Sequence, residues 1–152
     1  MSAEAITDAV ARHFAENVQG VLAGYASGAG GQGDIVKTLP QDIYDTPVAV
    51  VYWQRYELVA PGSFEKVRHF INADLYFGAA DAAASYKQYL PFVSRVITSF
   101  RSNVGLYGTA TLAFANSNIP PEAVEINGKP MVRLTFEIQA LEVTITQYAQ
   151  GS

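Results

Sequence analysis

The chain contains no cysteine, which excludes disulfides, thiolate metal ligands and a cysteine nucleophile. Histidine is scarce as well. His13 and His69 are the two present, with no HxxxH pattern and no carboxylate at ligand spacing, so hydrogen-bonded structural roles are expected for both. A GxSxG nucleophile elbow is missing, and with it the usual scaffold for Ser/His/Asp chemistry. The glycines at Gly28, Gly30, Gly31 and Gly33 follow no strand and lead to no Gly-Lys-Ser/Thr ending, so they are not read as a phosphate-binding loop. Basic charge is sparse: ten Lys and Arg stand against fourteen Asp and Glu, for a net charge of −4. Lys66, Arg68, Lys87, Arg95 and Arg101 are scattered rather than gathered into the stripe that grips phosphates. There is no apolar run of membrane-spanning length and no basic N-terminal stretch leading into an apolar one, so a soluble chain without a cleaved signal is expected. The pattern points to no enzyme, cofactor or metal.

What is abundant is apolar surface. Hydrophobic residues form 49% of the 152 positions and charged residues 16%, too little charge to clothe a monomer in the ordinary way, which points to burial beyond the chain's own core. The length suits one domain spanning 1–152.

The pattern predicts an α+β fold: an antiparallel sheet of about four long strands plus a small hairpin, flanked by an N-terminal helix and a second helix with a proline bend. The first helix, capped by Ser2, carries the stripe Ile6, Val10, Phe14, Val18 and Leu22 and ends near Leu22 or Gly24. A glycine-rich loop follows at about 24–46, with Leu39, Ile43 and Tyr44 as apolar anchors for a partner. Val48 to Val59 is rich in β-branched and aromatic residues and forms a strand, buried on both faces in its first half. The turn Ala60-Pro61-Gly62-Ser63 joins it to an antiparallel partner.

That partner alternates. Val67, His69, Ile71, Ala73, Leu75 and Phe77 face inward; Lys66, Arg68, Phe70, Asn72, Asp74 and Tyr76 face outward. The second helix, capped by Asp81, presents Tyr86, Leu90, Val93, Ile97 and Phe100 to the core, with a bend expected at Pro91. A strand over Leu106 to Phe114 turns Leu106, Ala110, Leu112 and Phe114 inward. Asn127-Gly128 marks a two-residue hairpin between Val124–Ile126 and the last strand. In that strand Val132, Leu134, Phe136 and Ile138 are inward, then the phase slips to Leu141, Val143 and Ile145. Either a bulge near Ala140 restores one face, or the second half serves another surface such as a neighbouring subunit.

This order of elements resembles the tail terminator (tail-completion, minor tail) proteins of long-tailed bacteriophages. The resemblance is carried by the helix around Ile6 to Leu22, the hairpin PVAVVYWQRYELV with FEKVRHFINADLYF, the helix DAAASYKQYLPFVSRVI and the strand MVRLTFEIQALEVTI. It implies a non-enzymatic virion protein of the tail or neck, assembled in the host cytoplasm. Such proteins form a ring, typically a hexamer, on the head-proximal end of the tail tube, stop its polymerisation and join it to the connector, while DNA passes through the lumen without specific binding. Contacts to neighbours and tube are then expected from Leu39, Ile43 and Tyr44, from Lys66, Arg68, Phe70, Asp74 and Tyr76, and from Leu141, Val143, Ile145 and Tyr148. A tube or head-closure subunit is a reading within the same class. A different class is a small apolar-ligand-binding or isomerase-like domain in which Asp42, Asp45 or Asp74 acts inside a pocket.

Overall fold

A computed structural model describes residues 3–27, 47–60, 64–78, 82–126 and 128–145. Within them the fold is α+β, with a mixed six-stranded sheet and two α-helices. The elements in order are α1 (Ala3–Asn17), β1 (Gly24–Ser27), β2 (Val48–Ala60), β3 (Phe64–Gly78), α2 (Ala82–Ser99), a 3-10 turn (Phe100–Ser102), β4 (Leu112–Asn116), β5 (Glu122–Ile126) and β6 (Lys129–Ile145). The sheet order is β1-β2-β3-β6-β4, and β5 pairs with the start of β6 beyond the end of β4. Ser2, Leu39, Asp42, Ile43, Tyr44, Asp45, Pro61-Gly62-Ser63, Asp81, Asn127 and Tyr148 lie outside the described residues.

The expected antiparallel hairpin of β2 and β3 is present, and β6 lies along the other side of β3. One face of these strands makes the main core. Ala49 and Val51, Ile71 to Phe77 at alternate positions, Leu134, Phe136, Ile138 and Ala140 are covered by Ile6, Val10 and Phe14 of α1, and by Phe92, Val96 and Phe100. Each fully buried side chain of the size of Phe14 stabilises the fold by roughly 1.5–3 kcal/mol.

Four expectations are corrected here. First, residues 24–27 belong to the sheet: Gly24–Ser27 pairs in parallel with Ala49–Tyr52, so β1 is an edge strand where a loop was expected. Gly24 is required there, because a Cβ would overlap the carbonyl oxygen of Ala11 in α1. Helix α1 also stops at Asn17, with Gly20 at φ +94°, and Leu22 is exposed, its N–H bonded to Pro47 O at 3.0 Å.

Second, α2 is rotated from its expected phase. Ser85, Phe92, Val96 and Phe100 are buried, while Tyr86 and Leu90 are exposed. The helix runs unbroken through Pro91, so it is not two pieces.

Third, β4 begins at Leu112 and turns Ala113 and Ala115 into the core, leaving Leu112 and Phe114 outside. Leu106 is buried as expected, but in a turn, where Leu106 and Tyr107 both have positive φ. Two successive non-glycine residues in that region carry strain. The Tyr107 amide is held by Asn103 Oδ1 at 3.1 Å, and its hydroxyl accepts from Asn17 at 2.6 Å.

Fourth, β6 has no bulge against β3: their register is continuous from Phe64↔Ile145 to Gly78↔Met131. The irregularities lie in β2, between Trp53 and Arg55 and between Leu58 and Ala60. Leu141 and Val143 therefore sit on the sheet face opposite the main core, across from Arg68 and Lys66.

Candidate functional site

Strands β2, β3 and β6 are 13, 15 and 17 residues long, and a 17-residue strand reaches roughly 55 Å at about 3.3 Å per residue. The core does not fill that length. Its last buried side chains on the helix-covered face are His69 and Ala140, with Trp53 half-buried. Beyond them the strands continue as an arm with apolar residues on both faces. The face continuing the core carries Tyr56, 61% exposed, with Leu58 at 48% and the half-buried Val67 opposite it. The other carries Leu112 at 42% and Phe114 at 39%, beside the half-buried Leu141 and Val143.

The arm brings together four of the expected interface residues. Lys66 pairs with Val143, Arg68 with Leu141 and Phe70 with Gln139, so Lys66, Arg68, Leu141 and Val143 form one mixed basic and apolar surface. Phe70 belongs to the same row but is buried under Arg55, whose guanidinium carbon lies 3.7 Å from its ring centroid. Ile145 closes the β6 register opposite Phe64. Leu112, Phe114, Tyr56 and Leu58 are not among the expected interface residues. The sequence signal for the first two is the pair of alanines between and after them, small enough to pack under a helix.

Asp74 and Tyr76 share that face but lie inside the chain, both fully buried, where Val48, Val50, Tyr52, Tyr76, Ile126 and Met131 form a second apolar cluster. Across the strands, Asn72 pairs with Glu137, Asp74 with Thr135 and Tyr76 with Arg133, giving a polar ladder. Thr135 Oγ1 donates to Asp74 Oδ1 at 2.6 Å, and Asn72 Nδ2 donates to the Tyr52 hydroxyl at 3.1 Å. Arg133 reaches outward to Glu122 at 2.7 Å. Asp74 Oδ2 and Asn72 Oδ1 make no hydrogen bond. Burial raises the Asp74 carboxyl to about 6, against the Thr135 bond and the Arg133 charge that favour its ionised form. Burial, reinforced by the Asp74 charge, lifts the Tyr76 hydroxyl to about 12 against the pull of the Arg133 guanidinium.

The two histidines have hydrogen-bond partners, as expected of structural residues. Asn103 Nδ2 donates to His13 Nδ1 at 2.9 Å, leaving Nε2–H for the Ser99 hydroxyl at 2.9 Å; that hydroxyl in turn donates to Val96 O at 2.7 Å. The ring lies 4.0 Å from that of Phe100, and burial lowers its pKa to about 4. At His69, Nδ1 accepts from Trp53 Nε1 at 3.1 Å. Among the described residues, no group of three His, Asp or Glu side chains is disposed to hold a metal ion. No helix among them is long and apolar enough to cross a membrane.

No protein-family model matches the chain, and no curated protein sequence does either.

Proposed function

We propose that the chain is a ring-forming structural subunit resembling the tail terminators of long-tailed bacteriophages, capping the head-proximal end of the tail tube and joining it to the connector. The observation that carries this reading is the arm. Contiguous exposed apolar residues mark interaction surfaces, and here they occupy two opposite faces of one extension. A closed ring needs just such a pair of different patches, because each subunit meets its two neighbours through unlike surfaces, whereas a two-fold dimer needs one self-complementary patch. A net charge of −4 without a basic stripe suits a lumen through which DNA slides. The protein then belongs to the virion tail or neck, with the tube and connector proteins as partners. Adding the purified chain to growing tail tubes and imaging them tests the role: tubes of fixed length with a ring at one end support it. Open tubes made of this chain alone would favour a tube subunit instead, and tubes of unchanged length with bare ends would refute the capping role.

Asp74 favours a second reading, a domain that binds a small apolar ligand and moves a proton. It is a buried carboxyl with a raised pKa and one unbonded oxygen, flanked by Tyr52 and Tyr76. Concavities of about 280 and 370 Å³ among the described residues are lined elsewhere, by Gly108–Thr111 with Glu142 and by the Trp53 group. Thermal stabilisation by steroid-like or fatty ligands, lost in Asp74→Asn, would support this reading; an unchanged melting temperature across such a panel would remove it.

A further inference from the structure

At the root of the arm, on the face continuing the core, lies a groove of about 370 Å³ lined by Ala3, Trp53, Tyr56, Val67, His69 and Glu142. Its walls are aromatic. The Trp53 and Tyr56 rings are 6.2 Å apart and inclined at 39°, and Tyr56 and His69 are 6.2 Å apart at 43°. Tilted rings of this kind turn the electron-rich faces of Trp and Tyr toward a shared space, where a cation is attracted by the ring quadrupoles.

The charges and hydrogen-bonding atoms narrow the choice of cation. Glu142 is the carboxylate in the lining. Lys66 and Arg68 alternate to the opposite face of β3, and Arg55 is drawn to that face by Phe70, so none of the three competes for the groove. The Trp53 N–H is spent on His69 Nδ1, which puts the His69 hydrogen on Nε2 and leaves that ring no lone pair to offer. Burial lowers the His69 pKa, so the ring is neutral at pH 7. The side-chain acceptors of the lining are thus Glu142 and the Tyr56 hydroxyl. A primary ammonium brings three N–H donors that need partners, whereas a quaternary ammonium brings methyl groups and a diffuse charge. We propose that this groove is a binding site for a small quaternary ammonium ion, its methyl groups against Trp53 and Tyr56 and its charge balanced by Glu142.

Trp53 is the sole tryptophan of the chain, so its emission reports occupancy directly. The intact protein is titrated with choline, with its uncharged isostere 3,3-dimethylbutan-1-ol and with ethanolamine. Choline gives a saturable change, and the other two bind at least about tenfold more weakly, the size of one desolvated cation–π contact. Tyr56→Leu and Glu142→Gln each weaken choline binding about tenfold, while Tyr56→Phe, which keeps the ring, stays within about twofold. Thermal melts matching the wild type establish that the variants are folded; Tyr56 is 61% exposed, so its replacement leaves the core intact. Absence of a saturable response to choline, equal binding of the isostere or of ethanolamine, or unchanged affinity in folded Glu142→Gln would each overturn the proposal.

Discussion

The Thr135 hydroxyl donates to one oxygen of the Asp74 carboxyl at 2.6 Å, while the other oxygen, equally buried, has no partner. A carboxyl held this way resists ionisation, and its pKa of about 6 against an ordinary 3.8 makes stability depend on pH. The folded state binds the proton more tightly than the unfolded chain. The stabilisation is therefore fully present below pH 3.8 and is lost as pH rises through 6, by on the order of 3 kcal/mol. Asp74→Asn removes the titration. Relative to wild type, the variant gains about 2–3 kcal/mol between pH 4 and pH 8 in urea unfolding; a difference that stays flat with pH would contradict the account.

His13 acts in the opposite direction. Its pKa is lowered from 6.5 to about 4, so below pH 6.5 the unfolded chain takes up a proton that the folded chain refuses. Stability from this group falls as pH drops from 6.5 to 4, and it is best seen in Asp74→Asn, where the opposing carboxyl is gone. NMR titration of the imidazole should give a midpoint near 4; a midpoint near 6.5 would contradict the buried, neutral assignment.

Asn103 serves both this histidine and the strained turn, through His13 Nδ1 at 2.9 Å and the Tyr107 amide at 3.1 Å. Asn103→Ala is expected to cost about 1–3 kcal/mol, the penalty for leaving partners unsatisfied, whereas exposed Asn118→Ala should fall within about 0.5 kcal/mol of wild type. Equal melting temperatures for the two variants would show that the turn is held by other contacts.

Gly24→Ala places a methyl group against the Ala11 carbonyl oxygen, where backbone faces backbone and no rotamer change relieves it. A loss of about 1–3 kcal/mol or more is expected on thermal unfolding. A neutral result would mean that β1 can lift from α1 at little cost.

Helix α1 and strands β2, β3 and β6 are legible in the sequence because their periodicities run long enough to be read. Alternation from Val67 to Phe77 marks the core face of β3 correctly, and the stripe Ile6, Val10, Phe14, Val18 that of α1 and its exit. The misplaced residues share one physical origin. An apolar pattern says which side chains avoid water, not which surface of the molecule they meet. The pattern puts Tyr86 and Leu90 in the core in place of Ser85 and Phe92, and Leu112 and Phe114 in place of Ala113 and Ala115. The phase change after Ala140 likewise reflects two surfaces on one unbent strand. The edge strand β1 is hidden because four small or polar-flanked residues show no period. The Asp74 ladder is visible in the sequence only as an alternating polar row, since burial comes from tertiary packing.

If the arm is an assembly surface, its exposed apolar residues contribute little to the fold of one chain and much to the association of several. Phe114→Lys and Leu112→Lys on β4, and Tyr56→Lys on the opposite face, should each leave the unfolding free energy of the isolated chain within about 0.5–1 kcal/mol. The measurement that decides the matter is light scattering on the eluting protein, wild type beside these variants. The account predicts a wild-type mass that is a closed multiple of the 16.4 kDa chain, formed alone or on tail tubes, and a collapse to the single-chain mass when either face of the arm is charged. A wild type that stays at 16.4 kDa at every concentration and in the presence of tail tubes would contradict it.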